Sequence, residues 1–124
     1  NPVNNIYKSN KKYVDDSLFI DIFGINIRIQ NYFNQLKEIY IAIRPEHIYL
    51  DKKQNTFEVS GELEIVENLG HEKILCIRTL ESKKLFYLRV STDNKLNIGE
   101  KIKFFIDKEK LLYFNPNDEN LIER

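Results

Sequence analysis

The feature that most constrains this chain is a run in which apolar residues recur at every second position. Phe57, Val59, Leu63 and Ile65 alternate with Glu58, Ser60, Glu62 and Glu64. Successive side chains of a β-strand point to opposite faces, so this pattern buries one face and wets the other. The same period returns in Leu18, Ile20 and Ile22, in Ile25, Ile27 and Ile29 after a break at Gly24, in Ile39, Ile41 and Ile43, and in Ile102, Phe104 and Ile106. Residues 74–77 and 85–90 add two further candidate strands, and Asn68 with Gly70, then Asp93, Asn94, Asn97 and Gly99, supply turn chemistry between them.

Strands this short and this regularly spaced, with no helical pattern beyond about three turns, predict an all-β fold. The expectation is a small OB-like antiparallel β-barrel of about seven or eight short strands with short helical turns. Gly61 interrupts the apolar face of the clearest strand, as a bulge or sharp coil that closes a barrel would require; a simple packing gap is the alternative. Residues 18–124 are assigned to this domain. In residues 1–17 the apolar pairs Ile6-Tyr7 and Tyr13-Val14 fit a short amphipathic helix or docked arm, or else a frayed tail.

Pro45 is the sharpest punctuation. It cannot donate to a strand ladder and pushes Arg44 toward an extended conformation, so the strand through Ile43 should stop there and a short helical turn should begin with Pro45 in its first position.

Much chemistry is excluded. Lys plus Arg and Asp plus Glu number 19 each, so no global field draws the chain to phosphate backbones or an anionic bilayer. The single Cys76 allows no intramolecular disulfide and reads as a small core residue. No apolar stretch approaches the roughly 20 residues needed to span a membrane. Neither a phosphate-cradling glycine loop nor a nucleophile elbow is present. His47 and His71 each adjoin a glutamate, Glu46 and Glu72, but neither pair has the spacing of a helical zinc motif. The basic and aromatic stretches 83–89 and 101–105 suit a barrel core better than base stacking. The chain contains no Met, which suggests a piece of something larger.

The residues Ile43-Arg44-Pro45-Glu46-His47, followed by Val66-Glu67-Asn68-Leu69-Gly70-His71-Glu72, resemble a pair of motifs of one family. They are similar to the "IRPEH" and "VE-LG-E" signatures of the transport-associated OB (TOBE) domain, the C-terminal regulatory domain of sugar-importer ABC ATPases of the maltose and multiple-sugar type. Gly99-Glu100-Lys101-Ile102, Asp107, Leu111 and Phe114 match that family's closing segment in order, so the likeness runs from Ala42 to Asn115. Upstream, Ile6-Tyr7 and Tyr13-Val14 resemble the linker leaving the nucleotide-binding domain, with Asn10 where proline is usual.

The resemblance implies a non-catalytic domain that regulates and helps dimerise an ATPase subunit energising sugar import. ATP and Mg would belong to a missing N-terminal domain, with no cofactor or metal here. The implied partners are a second copy, that ATPase domain and the transporter's membrane subunits. Nucleic acid and direct membrane insertion are not implied, and the location would be cytoplasmic, peripheral on the inner face of the membrane. The motif residues Ile43, Arg44, Pro45, Glu46, His47, Glu67, Leu69, Gly70 and Glu72 would be structural or regulatory, with Arg44 and Glu67 expected to pair across adjacent strand ends. A small-ligand sensor for an oxyanion or sugar is the alternative, and a single-strand-binding barrel a further one.

Overall fold

The computed structural model describes residues 5–29 and 38–114, and the backbone of 121–122. Residues 31–37, expected to lead into the strand before Pro45, lie outside the described residues, as does most of the polar C-terminal tail. Eleven strands are present among the described residues: β1 (Asn5–Val14), β2 (Ser17–Ile22), β3 (Ile25–Ile29), β4 (Glu38–Ile43), β5 (Ile48–Tyr49), β6 (Thr56–Asn68), β7 (Glu72–Thr79), β8 (Leu85–Ser91), β9 (Lys101–Asp107), β10 (Leu112–Phe114) and β11 (Leu121–Ile122). Among the described residues, helix is confined to single 3-10 turns at Pro45–His47 and Lys108–Lys110. The fold is thus all-β and OB-like, as the alternation predicts. The described residues divide into two compact units, one of Asn5 with residues 43–110 and the other of residues 6–29 and 38–42 with 111–114 and 121–122.

In the second unit the strands form one sheet in the order β11-β10-β4-β1-β2-β3. Its hairpins explain themselves. Asp15 and Asp16 join β1 to β2 with φ of 51° and 65°, and Phe23 and Gly24 join β2 to β3 with φ of 55° and 84°. Two central residues with positive φ give the turn whose twist matches that of the strands it connects. The hairpin expected around Gly24 is therefore present, with Ile20 opposite Ile27 and Ile22 opposite Ile25.

The residues read as a helix or arm instead form β1, paired to β2 with Lys11 opposite Ile20 and Tyr13 opposite Leu18. Its buried positions explain the mismatch: they are Asn5 and Ser9, both polar. Ser9 Oγ satisfies itself by donating to the carbonyl of Asp21 at 2.6 Å.

The first unit holds a five-stranded antiparallel sheet in the order β5-β9-β6-β7-β8. This sheet curls until its two edges meet, since β5 approaches β8 and the turn at Pro45–His47 also lies against β8. Inside are Val59, Leu63, Leu75, Ile77, Phe86 and Phe104, among others, with the rings of Phe86 and Phe104 5.1 Å apart. Each of these aromatic side chains contributes on the order of 2–3 kcal/mol by burial. Where the edges meet, the buried side chain of Asn5 stands in for a strand neighbour. Its Oδ1 accepts the N–H of Tyr87 at 2.8 Å, while Nδ2 donates to the carbonyls of Tyr87 and Ile43, both at 3.1 Å.

Gly61 has a different reason from the one the sequence suggested. A Cβ there would lie 2.4 Å from Ile77 Cγ2 and 2.8 Å from the carbonyl oxygen of Arg78, so the glycine permits close approach of β7. The bulge lies three residues further on, where the pairing steps from Leu63 opposite Ile77 to Ile65 opposite Cys76 and Glu64 is the extra residue. Leu63 is wholly buried while Ile65 is 57% exposed, so Ile65, expected on the buried face, points outward.

Two stability predictions follow from these contacts. Gly61→Ala gains up to about 1 kcal/mol in strand entropy, but forcing β7 away costs about 1–3 kcal/mol, so urea unfolding should show net destabilisation. Asn5→Ala should lose about 3 kcal/mol, at about 1 kcal/mol for each of three hydrogen bonds. Asn5→Asp should be no better, because a carboxylate has no donor for the two carbonyls.

Candidate functional site

The chain turns at the first motif as Pro45 dictates. Ile43 ends β4 fully buried, and Arg44 is extended with φ −75° and ψ 139°. Pro45 then opens the 3-10 turn, closed by the His47 N–H donating to the Arg44 carbonyl at 2.9 Å. Pro45 is buried, Arg44 and Glu46 are exposed, and His47 is half-buried with its Nδ1 enclosed and without a hydrogen-bond partner.

The second motif is the hairpin joining β6 to β7. Gly70 takes φ of +90°, a left-handed conformation that other residues adopt only with strain, and its N–H is held by Asn68 Oδ1 at 2.9 Å. Leu69 donates its N–H to the Glu72 carbonyl at 2.8 Å, which closes the loop.

These two motifs meet. Pro45 from the first and Glu67, Leu69, His71 and Glu72 from the second line one cleft of about 660 Å³, completed by Ile74, Tyr87 and Arg89. The cleft lies on the outer face of β6, β7 and β8. Register places Glu67, Ile74 and Arg89 in one cross-strand row, and Ile65, Cys76 and Tyr87 in the next. The bulge at Glu64 makes this possible. Without the extra residue, Glu67 would share the inward face of Leu63. Arg78 fastens the bulge by gripping Glu64 with two bonds, Nε to Oε2 at 2.7 Å and Nη2 to Oε1 at 3.3 Å.

The expected Arg44–Glu67 pair is not among the ion pairs of the described residues. Both side chains are exposed, and the charge contact in the cleft is instead Arg89 Nε to Glu72 Oε2 at 3.5 Å. That separation is long for a charged hydrogen bond, and Arg89 Nε is enclosed without a hydrogen-bonding acceptor. Of the other motif residues, Ile43, Arg44, Glu46, His47 and Gly70 shape the turns and do not line the cleft. Sequence reasoning missed Ile74, Tyr87 and Arg89. The available signal was their alternation with the buried Leu75, Phe86 and Leu88, which puts them on the outward face.

Beneath this face Cys76 is 4% exposed, and burial pushes its thiol above its ordinary pKa against the opposing effect of a hydrogen bond with Tyr87. The Tyr87 phenol is raised as well, first by the charge the Cys76 thiolate would carry and then by desolvation. Among the described residues no three His, Cys, Asp or Glu side chains converge as metal ligands, and no helix is long and apolar enough to cross a membrane.

Residues 41–114, more than half of the chain, match the TOBE domain family. The chain belongs to the TOBE domain family. It is 32% identical over 92 residues to the sn-glycerol-3-phosphate import ATP-binding protein UgpC of Psychromonas ingrahamii, a match covering 69% of this chain and 24% of that protein. The TOBE chain thus spans about a quarter of the length of that curated relative. Its fold is similar to that of the cytoplasmic molybdate-binding protein ModG, solved with molybdate bound, with a TM-score of 0.68 at 12% identity over 90% of this chain and 96% of that one. At that identity the likeness speaks for the fold alone.

Raised pKa values at Cys76 and Tyr87 mean that both groups hold their protons more tightly when folded. Their contribution is complete below the unfolded thiol's pKa, about 8.5, and is lost as pH rises toward the folded values. Thermal melts should therefore show the wild type losing more of its melting temperature than Cys76→Ala between about pH 8 and pH 10.

Proposed function

We propose that this TOBE domain is the C-terminal regulatory domain of the ATP-binding subunit of a sugar-importing ABC transporter. The observation that carries this reading is the match to an import ATP-binding protein over most of the present chain, together with family membership across both motifs. The domain is read as non-catalytic. ATP and Mg would be handled by an N-terminal nucleotide-binding domain, and residues 1–17 would lead from it into a domain of residues 18–124, with β1 inside that stretch already paired to β2 as part of the domain's sheet. The assembled subunit would sit in the cytoplasm against the membrane, bound to the transporter's membrane subunits and paired with a second copy through these domains. The motif residues Ile43, Arg44, Pro45, Glu46, His47, Glu67, Leu69, Gly70 and Glu72 would serve as turn formers and cleft walls for regulation.

A second reading, a small-ligand sensor, is favoured by one observation: the conjunction of the two motifs in a cleft of about 660 Å³, a volume in the range of small-molecule sites. Of the rings in the stretches considered for base stacking, Phe86 and Phe104 are buried against each other, while Tyr87 and Phe105 are half-buried.

Complementation tests the first reading. The full-length gene product should restore sugar uptake to cells lacking an importer ATPase, and deleting residues 18–124 should weaken its dimerisation or its regulation. Light scattering of the present chain across concentration should show the mass rising toward a dimer. A strict monomer at high concentration would place the dimer contacts outside this domain, and failure to complement any sugar importer would overturn the assignment.

A further inference from the structure

The cleft carries a further statement about what it holds. Its walls differ in chemistry from side to side. Glu67 stands on β6 and Arg89 on β8, with the apolar Ile74 between them in the same cross-strand row. Tyr87 occupies the adjacent row, Leu69 and Pro45 add apolar surface, and Glu72 adds a second carboxylate.

An oxyanion is poorly served here. The one guanidinium in the cleft already faces Glu72, and Glu67 has no ion-pair partner among the described residues, with His71 and Tyr87 the remaining titratable side chains of the lining. A phosphate, sulfate or molybdate would meet more negative than positive charge. A neutral ligand bearing many hydroxyls is well served. Each hydroxyl both donates and accepts, so it can use the carboxylates as acceptors and the guanidinium as a donor, while its ring C–H face lies on Ile74 and Tyr87. The Glu72–Arg89 contact at 3.5 Å leaves Glu72 with acceptor capacity, and since Arg89 Nε is enclosed, the guanidinium would donate to such hydroxyls through its Nη atoms.

We propose that the cleft bounded by Glu67, Glu72, Ile74, Tyr87 and Arg89 binds a neutral saccharide of one or two rings and discriminates against oxyanions. The proposal deepens the sensor reading of this cleft and rests on it. It is independent of whether the domain dimerises or belongs to an importer.

Isothermal titration of the full chain with maltose, glucose, glucose 6-phosphate and molybdate tests it. Glucose or maltose should give saturable one-site binding, with glucose 6-phosphate and molybdate at least about tenfold weaker. Glu67→Gln, at an exposed position, should narrow the gap between glucose and glucose 6-phosphate to within about threefold by removing the repulsive charge. Arg89→Lys should weaken saccharide binding by about tenfold, since an ammonium lacks the forked donor set. Equal or tighter binding of glucose 6-phosphate or molybdate would overturn the saccharide assignment while leaving the cleft a sensor. No binding of any probe to a chain with an unchanged melting curve would overturn both ligand readings, with the importer assignment still judged by complementation. Saccharide binding untouched by both substitutions would place the site elsewhere and overturn the proposal.

Discussion

The Asn5 side chain is the contact on which the closure of the five-stranded sheet depends. A sheet that curls on itself must satisfy the backbone groups where its first and last strands approach, or leave them buried and unpaired. Here β5 has only two residues, too short to pair along β8. The amide of Asn5 offers one acceptor and two donors, and these match the N–H and C=O of Tyr87 and the C=O of Ile43. A neutral primary amide is the side chain with this complement, because it presents the same groups as a peptide unit. The residue therefore belongs to the hydrogen-bonding pattern of the sheet although its own backbone lies in another strand.

A second constraint is the bulge at Glu64, which decides which side chains reach the outer face. One added residue reverses the facing of everything after it in β6. Ile65 is turned out and Glu67 is brought beside Ile74, while Leu63 before it stays in the core. The bidentate Arg78–Glu64 pair secures the extra residue. Its side chains are 39% and 34% exposed, so solvent screens the attraction and the value of the pair is geometric. Close packing at Gly61 acts on the same stretch. Both features set the path of β6 on its way to the cleft, one by letting β7 approach and the other by shifting the register.

The legible parts of this chain are those where burial and chemistry agree. Period-two alternation marked β2, β3, β4, β6 and β9 because their inward positions are apolar. Pro45 marked its own turn because a missing N–H and a fixed φ act locally. β1 was obscured because Asn5 and Ser9 occupy its buried positions, and their partners, Tyr87 and Asp21, are remote in sequence or hidden in a backbone carbonyl. The bulge was obscured because Glu64 is an ordinary strand residue by composition, and only the pairing with β7 reveals that it is extra. For the site, Pro45, Glu67, Leu69 and Glu72 could be named from the motifs. Their companions Tyr87 and Arg89 come from a strand two removed from β6 in the sheet, a neighbourhood that only topology supplies. The Arg44–Glu67 pairing went wrong for the same reason, since placement at strand ends fixes position along the chain but not which ends face each other.

These constraints converge on Tyr87. Its backbone is held by Asn5 and its side chain stands in the cleft, with Arg89 two residues further along the same face of β8. Closure of the sheet and the shape of the cleft therefore share one strand. Whatever occupies the cleft can bias the domain only by binding one arrangement of β8 more tightly than another. Glu67 from the bulged strand and Arg89 from the clamped one stand on opposite walls, with β7 hydrogen-bonded to both strands between them. Because β7 pairs with both strands, while the amide holds β8 at Tyr87 and the bulge sets the facing of Glu67, the walls of the cleft are fixed by the sheet itself, and a ligand there would meet a correspondingly reduced conformational cost.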